Sequence, residues 1–295
     1  MTVILLVFIT GIWYFFIKDY NYKVTFKTDK APGIVYNHVL NWNNDESFNK
    51  VVVQTLNKTP FTKIQQQLGL GDTILRIDWE FERYDTNTTL VTAKIKDENH
   101  SFIQNIEVLY SKNNFVKRSI KAVQSVKNVV IEDSEKFKVS PVEEAEIPAS
   151  HCVCSSIGST IHEKALQMIN YSDLPLTYIR NNHLKIIGHP FLEVTFWNFK
   201  EDFIKFDFCF PIERENNYPD FNDIIIRDIP SKRALKVKFN GNFSISDRAW
   251  FTIIDYANSN NIALNFNPIE IFKNDPHDGG NELTWEADVY LPIVP

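Results

Sequence analysis

Basic residues are in short supply. The chain of 295 residues carries 31 Lys and Arg against 37 Asp and Glu, a formal net charge of −6. A nucleic-acid binder needs lysines and arginines clustered to neutralise phosphates. No basic stripe is present, so nucleic acid is not an expected partner. Cysteine is also scarce. Cys152, Cys154 and Cys209 do not make a secreted-type disulfide framework. Cys152 and Cys154 lie two apart on an expected strand, pointing the same way but too far apart for easy bridging. No Cys-x-x-Cys or His/Cys group has zinc spacing. His162 reads as a solvated helix residue, and no cofactor is expected. Nine glycines and thirteen prolines leave no low-complexity tract.

What is there is a folding composition, 44% hydrophobic and 14% aromatic, with room for two domains. The opening "MTVILLVFITGIWYFFIKDY" has no charge from Met1 through Ile17. Such a run is about 25 Å long as a helix, at the short end for a membrane span. A signal peptide would show a basic start and a small-residue cleavage site. Here Trp13, Tyr14, Phe15 and Phe16 stand where small residues should be, followed by Lys18, in the manner of an interface belt. Residues 1–18 are therefore expected to be a transmembrane anchor with a single N-terminal pass. Lys18, Lys23, Lys27 and Lys30 after it lean toward a cytoplasmic soluble part.

From Tyr20 to Phe137 the order is strand, helix, several strands, long helix. "YKVTFKT" alternates as a strand, and Pro32 marks a helix start in "APGIVYNHVLNW". "PFTKIQQQL", "TILRIDWEFERYD", "TTLVTAKIKDE" and "SFIQNIEVLYS" are strand-like runs bounded by turn residues. Val116, Ile120, Val123, Val126 and Val130 then recur at helical spacing. A sheet with a long amphipathic helix laid on it is an α+β layer solution. The opening strand with "APGIVYNHVLNW", the "WEFERYDTNTTLVTAKI" hairpin and the closing helix resemble the START-like superfamily, also called SRPBCC or polyketide-cyclase-like. The resemblance covers 20–137 and implies a helix-grip domain around an apolar ligand cavity. The polar segment "NNDESFNKVVVQTLNKT" after Trp42 departs from it, and leaves that cavity small or filled.

A charged, Pro-containing stretch at 138–150 reads as a linker. The remainder, 151–295, says nearly the same thing twice. "FIKFDFCFPI" returns as "WEADVYLPI", with Asp207 matching Asp288 and Pro211 matching Pro292, and Glu193 matching Glu270. Each copy reads strand, helix, strand, strand. In the second helix Trp250, Ile253, Ile254 and Ala257 follow i, i+3, i+4, i+7, and in the first Ile161, Ala165, Met168 and Ile169 do the same. Ser246 is the N-cap signal of the second. The repeat implies a pseudo-twofold domain of two βαββ units sharing one sheet, with both helices on one face and a groove on the other. Alternation puts Ile269, Ile271, Leu192, Val194 and Phe196 toward the helices. It puts Glu270, Phe272, Glu193, Trp197, Asp207, Cys209, Asp288 and Tyr290 toward the groove. Trp285 reads as a packing residue on the side of Val289 and Leu291. Carboxylates beside aromatic rings in a concave face suit a cationic or amphipathic organic ligand.

Gly241 with "DRAWFTIIDYANSNNI", "PIEIFKNDP" and the closing "WEADVYLPI" make this region similar to the GyrI-like effector-binding domain. That domain is the ligand-sensing half of many AraC- and MerR-type regulators. The resemblance implies a groove glutamate that meets cationic ligands, at Glu270, with an aromatic at Phe272. The family's closing strand often carries Glu where this chain has Asp288.

The expected protein is thus a membrane-anchored binder of a small organic molecule, cationic or lipid-like. Its ligand-binding residues are Glu270, Phe272, Tyr290, Trp197, Glu193 and Asp288. Two alternatives stay open: a hydrolase with Glu270 as general base, and a non-catalytic scaffold gripping a protein in either groove.

Overall fold

The computed structural model describes residues 2–42, 52–70 and 73–294. Contacts divide the chain into two units, Met1–Asp133 and Ser134–Pro295. The architecture is mixed α+β.

The first unit opens with α1 (Thr2–Ile12) and one π-helical turn, Trp13–Ile17. A spanning helix needs about 20 apolar residues. Among the described residues no helix is long and apolar enough to cross a membrane. The anchor expected at 1–18, and the single-pass location drawn from it, are therefore not supported. Two of the four aromatics expected to form an interface belt have partners on α3, while Trp13 and Phe16 are exposed. Tyr14 donates a hydrogen bond to the Asn105 carbonyl at 3.0 Å, and Phe15 packs 5.9 Å from Phe102.

Five antiparallel strands follow: β1 (Tyr22–Thr28), β2 (Val52–Thr59), β3 (Lys63–Leu70), β4 (Thr73–Asp85) and β5 (Thr88–Asp97), in the order β1-β5-β4-β3-β2. Helices α2 (Pro32–Leu40), α3 (Ser101–Glu107) and α4 (Asn114–Ser134) complete the unit. Alternation along β4 buries Leu75, Ile77, Trp79 and Phe81, and the apolar stripe of α4 joins the same core through Val116, Val123, Val126 and Val130. Sheet and long helix thus share one apolar core, a mixed α+β layer. The polar run after Trp42 falls in part at 43–51, outside the described residues.

One strand expectation fails here. "SFIQNIEVLYS" begins as helix α3. The Asp97 carboxylate accepts from the backbone N–H of Asn99 and His100, starting a turn, and buried Asn105 accepts from Asn21 at 2.8 Å. Local polar capping outweighs the β-propensity of Phe102 and Ile103.

In the second unit the strands are β6 (Phe137–Val139), β7 (Glu143–Ile147), β8 (Ser150–Ser159), β9 (Phe191–Asn198), β10 (Phe203–Pro211), β11 (Ile225–Ile229), β12 (Lys232–Gly241), β13 (Ile269–Phe272) and β14 (Glu286–Pro292). The helices are α5 (Lys164–Tyr171), α6 (Asp173–Asn181) and α7 (Asp247–Ser259). The strand order β11-β8-β10-β9-β13-β14-β12-β6 is antiparallel and nearly palindromic about the β9–β13 pair. Two βαββ copies thus meet at β9 and β13, each fourth from its edge of the sheet. The stretch 138–150, expected as a linker, instead carries β6 and β7, both paired to the edge of β12.

Two short links reveal the curvature. β11 and β12 lie six strand steps apart, about 29 Å in a flat sheet. Only Pro230 and Ser231 join them, a reach of about 11 Å. β7 and β8 are likewise joined only by Pro148 and Ala149. The sheet must therefore curl until its edges approach. Ile229 of β11 and Ala234 of β12 indeed share one apolar cluster with Ile147, Phe191, Ile269 and Tyr290 on the inner face.

The convex face packs on the helices. Trp250, Ile253, Ile254 and Ala257 of α7 are buried as their spacing requires. On α5 the expected stripe rotates: Ile169 is 56% exposed, while Lys164 turns inward and is fully buried.

Candidate functional site

Strand register assigns the concave face. One row across the sheet reads Ser156, Asp207, Glu193, Ile269, Tyr290, Lys236 and Glu143. The next reads Ile225, Cys154, Cys209, Phe191, Ile271, Asp288 and Lys238. On the two middle strands Phe191, Ile269 and Ile271 are apolar and Glu193 is charged, and the remaining charged groups lie on the strands to either side. Phe191, Pro211, Ile229, Ile269, Ile271 and Lys273 line a cavity of about 300 Å³, within the size range of small-molecule sites.

Each concave-face carboxylate has a basic partner. Arg227 reaches from the edge strand β11 to Glu193 at 2.5 Å and Asp207 at 2.9 Å. Ser156 donates to the other oxygen of Asp207. Lys232, on the opposite side of the curl, comes within 3.8 Å of Glu193. Asp288 lies 3.2 Å from both Lys236 and Lys273. Lys236 also sits over the Tyr290 ring, 5.6 Å from its centre. Burial works against the Lys236 charge, but the Asp288 hydrogen bond together with the charges of Tyr290, Asp288 and Glu143 outweighs it and the ammonium pKa is raised. Burial, reinforced by the Asp288 charge, raises the Tyr290 phenol.

The expected site residues separate into two groups. Glu193, Asp288 and Tyr290 share the concave face. Glu270, Phe272 and Trp197 do not. The bridges Ile186–Ile212 and Leu264–Ile293 are equivalent in the two copies and match Pro190 to Pro268. The counterpart of Glu270 is therefore Leu192, and that of Glu193 is Ile271. Matching glutamate to glutamate slips the copies by one residue, which reverses the face of every side chain on the strand. Ile269 and Ile271 consequently face the groove. Trp197 is turned over by a bulge, for β9 and β10 shift register at Thr195. Its ring packs 5.3 Å from Trp250 on the helix side, and it borders a wider depression of about 840 Å³ beside Phe196 and Phe266.

Glu270 is enclosed. Its oxygens lie 2.9 and 3.0 Å from Lys164 Nζ, and Ser246 Oγ is 2.8 Å away. Ser246 accepts from Lys164 at 2.5 Å, and makes no side-chain cap on α7. Burial raises the Glu270 pKa, with Lys164 and Ser246 pulling the other way. Carboxylate and ammonium are both 0% exposed, so Glu270 has no surface on which to meet a ligand or activate a water. Phe272 packs 4.8 Å from Phe243 in the same interior. Trp285 lies 5.9 Å from Phe243, as its alternation suggested.

Sequence reasoning missed Arg227, Lys236, Lys273 and Ser156. The Lys236 signal was legible, since "KRALKVKFNG" alternates Ala234, Lys236, Lys238 against Leu235, Val237, Phe239. Arg227 carried none, because its reach depends on the curl. The pairing of Cys154 with Cys209 was also missed. These residues stand directly opposite each other on β8 and β10 and form a disulfide.

Residues 176–294 match the model of the GyrI-like small molecule binding domain, so the second unit carries a domain of that kind. No curated protein matches the chain. Among solved structures, the EcmrR C-terminal domain is similar at 17% identity, covering 52% of this chain and 97% of its own, with a TM-score of 0.43. A hydrolase from Listeria innocua is similar at 9% identity, covering 52% and 91%, with a TM-score of 0.34. The di-domain aromatase/cyclase StfQ of the steffimycin biosynthetic pathway is similar at 10% identity over 93% of this chain and 85% of its own, with a TM-score of 0.26.

Proposed function

We propose that this chain binds a small amphipathic organic molecule with a cationic end on the concave face of its second unit. The observation that carries the reading is the apolar cavity between Phe191, Ile269 and Ile271 with carboxylates at its flanks. The apolar body of the ligand would lie in that cavity, removed from water. Its cation would meet Asp288 or the Glu193–Asp207 pair. That pair already holds a guanidinium, from Arg227. It therefore has the spacing for a planar cation, which a ligand would supply in exchange.

A thermal-shift series on the full chain tests this. Binding to the folded state raises the melting temperature by mass action. Cationic aromatic compounds should raise it more than neutral lipid-like ones. Glu193→Gln and Asp288→Asn should each weaken the cationic series by about tenfold or more, as expected for loss of a charged hydrogen-bond partner, and spare the neutral series. Equal shifts in wild type and both variants would remove the carboxylates from the site.

A further inference from the structure

Three sulfur atoms meet on the inner face of the curled sheet. Cys152 and Cys154 lie two residues apart on β8 and point the same way, and Cys209 stands opposite Cys154 on β10. Their Sγ atoms all fall within 4.8 Å of one another, and all three residues are buried. Cys154 and Cys209 are joined as a disulfide, and the Cys152 sulfur is 3.4 Å from that of Cys154. The proposed ligand site uses none of them.

We propose that the reduced chain holds a soft d10 metal ion in a three-coordinate site formed by the thiolates of Cys152, Cys154 and Cys209. Metal–thiolate bonds of about 2.3 Å in a trigonal arrangement put the sulfurs about 4.0 Å apart. The three atoms reach that spacing by small side-chain shifts once the disulfide opens. The donor set selects the metal class. All three donors are soft sulfur, which favours thiophilic ions over magnesium or calcium. Structural zinc takes a fourth protein ligand. His151, next to Cys152 in sequence, does not offer one, because its two ring nitrogens are engaged by Asp228 at 2.7 Å and Tyr218 at 2.8 Å. Phe191, Ile229, Ile269 and Tyr290 share the cluster, and the Cys152 sulfur also donates to the Arg227 carbonyl at 3.4 Å.

The chemistry has two steps. A thiol reductant converts the Cys154–Cys209 disulfide to two thiols, and two reductant thiols become one disulfide. The ion then displaces three protons as three metal–sulfur bonds form. The disulfide is thus the closed form of the site.

The test uses the full chain and cadmium(II) as the probe. A phosphine reduces the disulfide, itself becoming phosphine oxide with oxygen from water, and is then removed without air. The thiolate-to-metal absorption band and the far-ultraviolet circular dichroism are followed together. One cadmium per chain is expected, with the band of three thiolates and the native dichroism kept. The unreduced chain should give no band, and magnesium should not compete. Cys152→Ala leaves the other pair intact and should cut the reduced-state band by about a third, one thiolate of three. Cys209→Ala should do the same with no reductant needed. The site is overturned by an unchanged band in Cys152→Ala, by the same band without reduction, by no band on reduction, or by a band that grows only as the native dichroism is lost.

Discussion

The Lys164 ammonium lies 2.9 and 3.0 Å from the two oxygens of Glu270, with both side chains fully enclosed. Lys164 comes from the first copy of the repeat, Glu270 from the second. An ion pair of this kind recovers its desolvation cost only while both partners are present. Glu270→Gln or Lys164→Met alone should therefore destabilise the second unit by about 3–5 kcal/mol, since each leaves a charge buried and unpaired. The double variant Lys164→Met with Glu270→Gln should lose less than the sum of the two. Urea unfolding of the four proteins measures this, and strict additivity would show that the pair is not coupled.

Gly241 should not tolerate a side chain. A methyl group there would meet the Lys136 carbonyl, the Phe137 Cβ and the Phe239 ring, each at 3.0 Å, on a backbone at φ +153°. Gly241→Ala should push β6 off the edge of β12, at a cost of about 1–3 kcal/mol. Denaturant unfolding reads the loss, and an unchanged midpoint would mean the edge gives way freely.

Cys152 should resist alkylation in the folded chain. Burial pushes its thiol up to about 12, with Arg227 only partly opposing, and the thiolate is the reactive form. Iodoacetamide at pH 8 should label it only after unfolding. Rapid labelling of the native protein would place this thiol in contact with solvent.

Lys236 should titrate above its ordinary value of 10.5. A lysine whose pKa is raised by folding adds stability that is complete below its unfolded pKa. That contribution is lost as pH rises through the raised value, so the window lies on the alkaline side of 10.5. Asp288→Asn should bring the Lys236 titration down, as followed by NMR of the side chain. An unmoved titration would show that Asp288 is not the group holding it up.

Arg227→Ala should open the Glu193–Asp207 pair. The two carboxylates would then face the concave side without their guanidinium. Added guanidinium or a benzamidine should raise the melting temperature of this variant more than that of wild type, by mass action. A smaller shift than wild type would show that Arg227 helps form the site.

The sequence alone determined the duplicated βαββ pattern, the α7 stripe and the alternation that brings Asp207, Cys209, Asp288 and Tyr290 to one face. These follow from periodicities of 3.6 and 2.0, which are local and survive without any knowledge of neighbours. Four results needed the tertiary structure. The face of Glu270 hung on a one-residue alignment between the copies, which only the bridges Ile186–Ile212 and Leu264–Ile293 fix. The face of Trp197 hung on a bulge at Thr195, a local insertion that alternation cannot show. The N-terminal apolar run read as an anchor because hydropathy carries no partners. The fold instead gives Tyr14 and Phe15 contacts on α3, and no helix, among the described residues, that is long and apolar enough to cross a membrane. Above all, the curl of the sheet brings Arg227 and Lys232 from its two edges onto Glu193. Convergence of residues from opposite edges of one sheet is a property of closure in space, and no spacing along the chain encodes it.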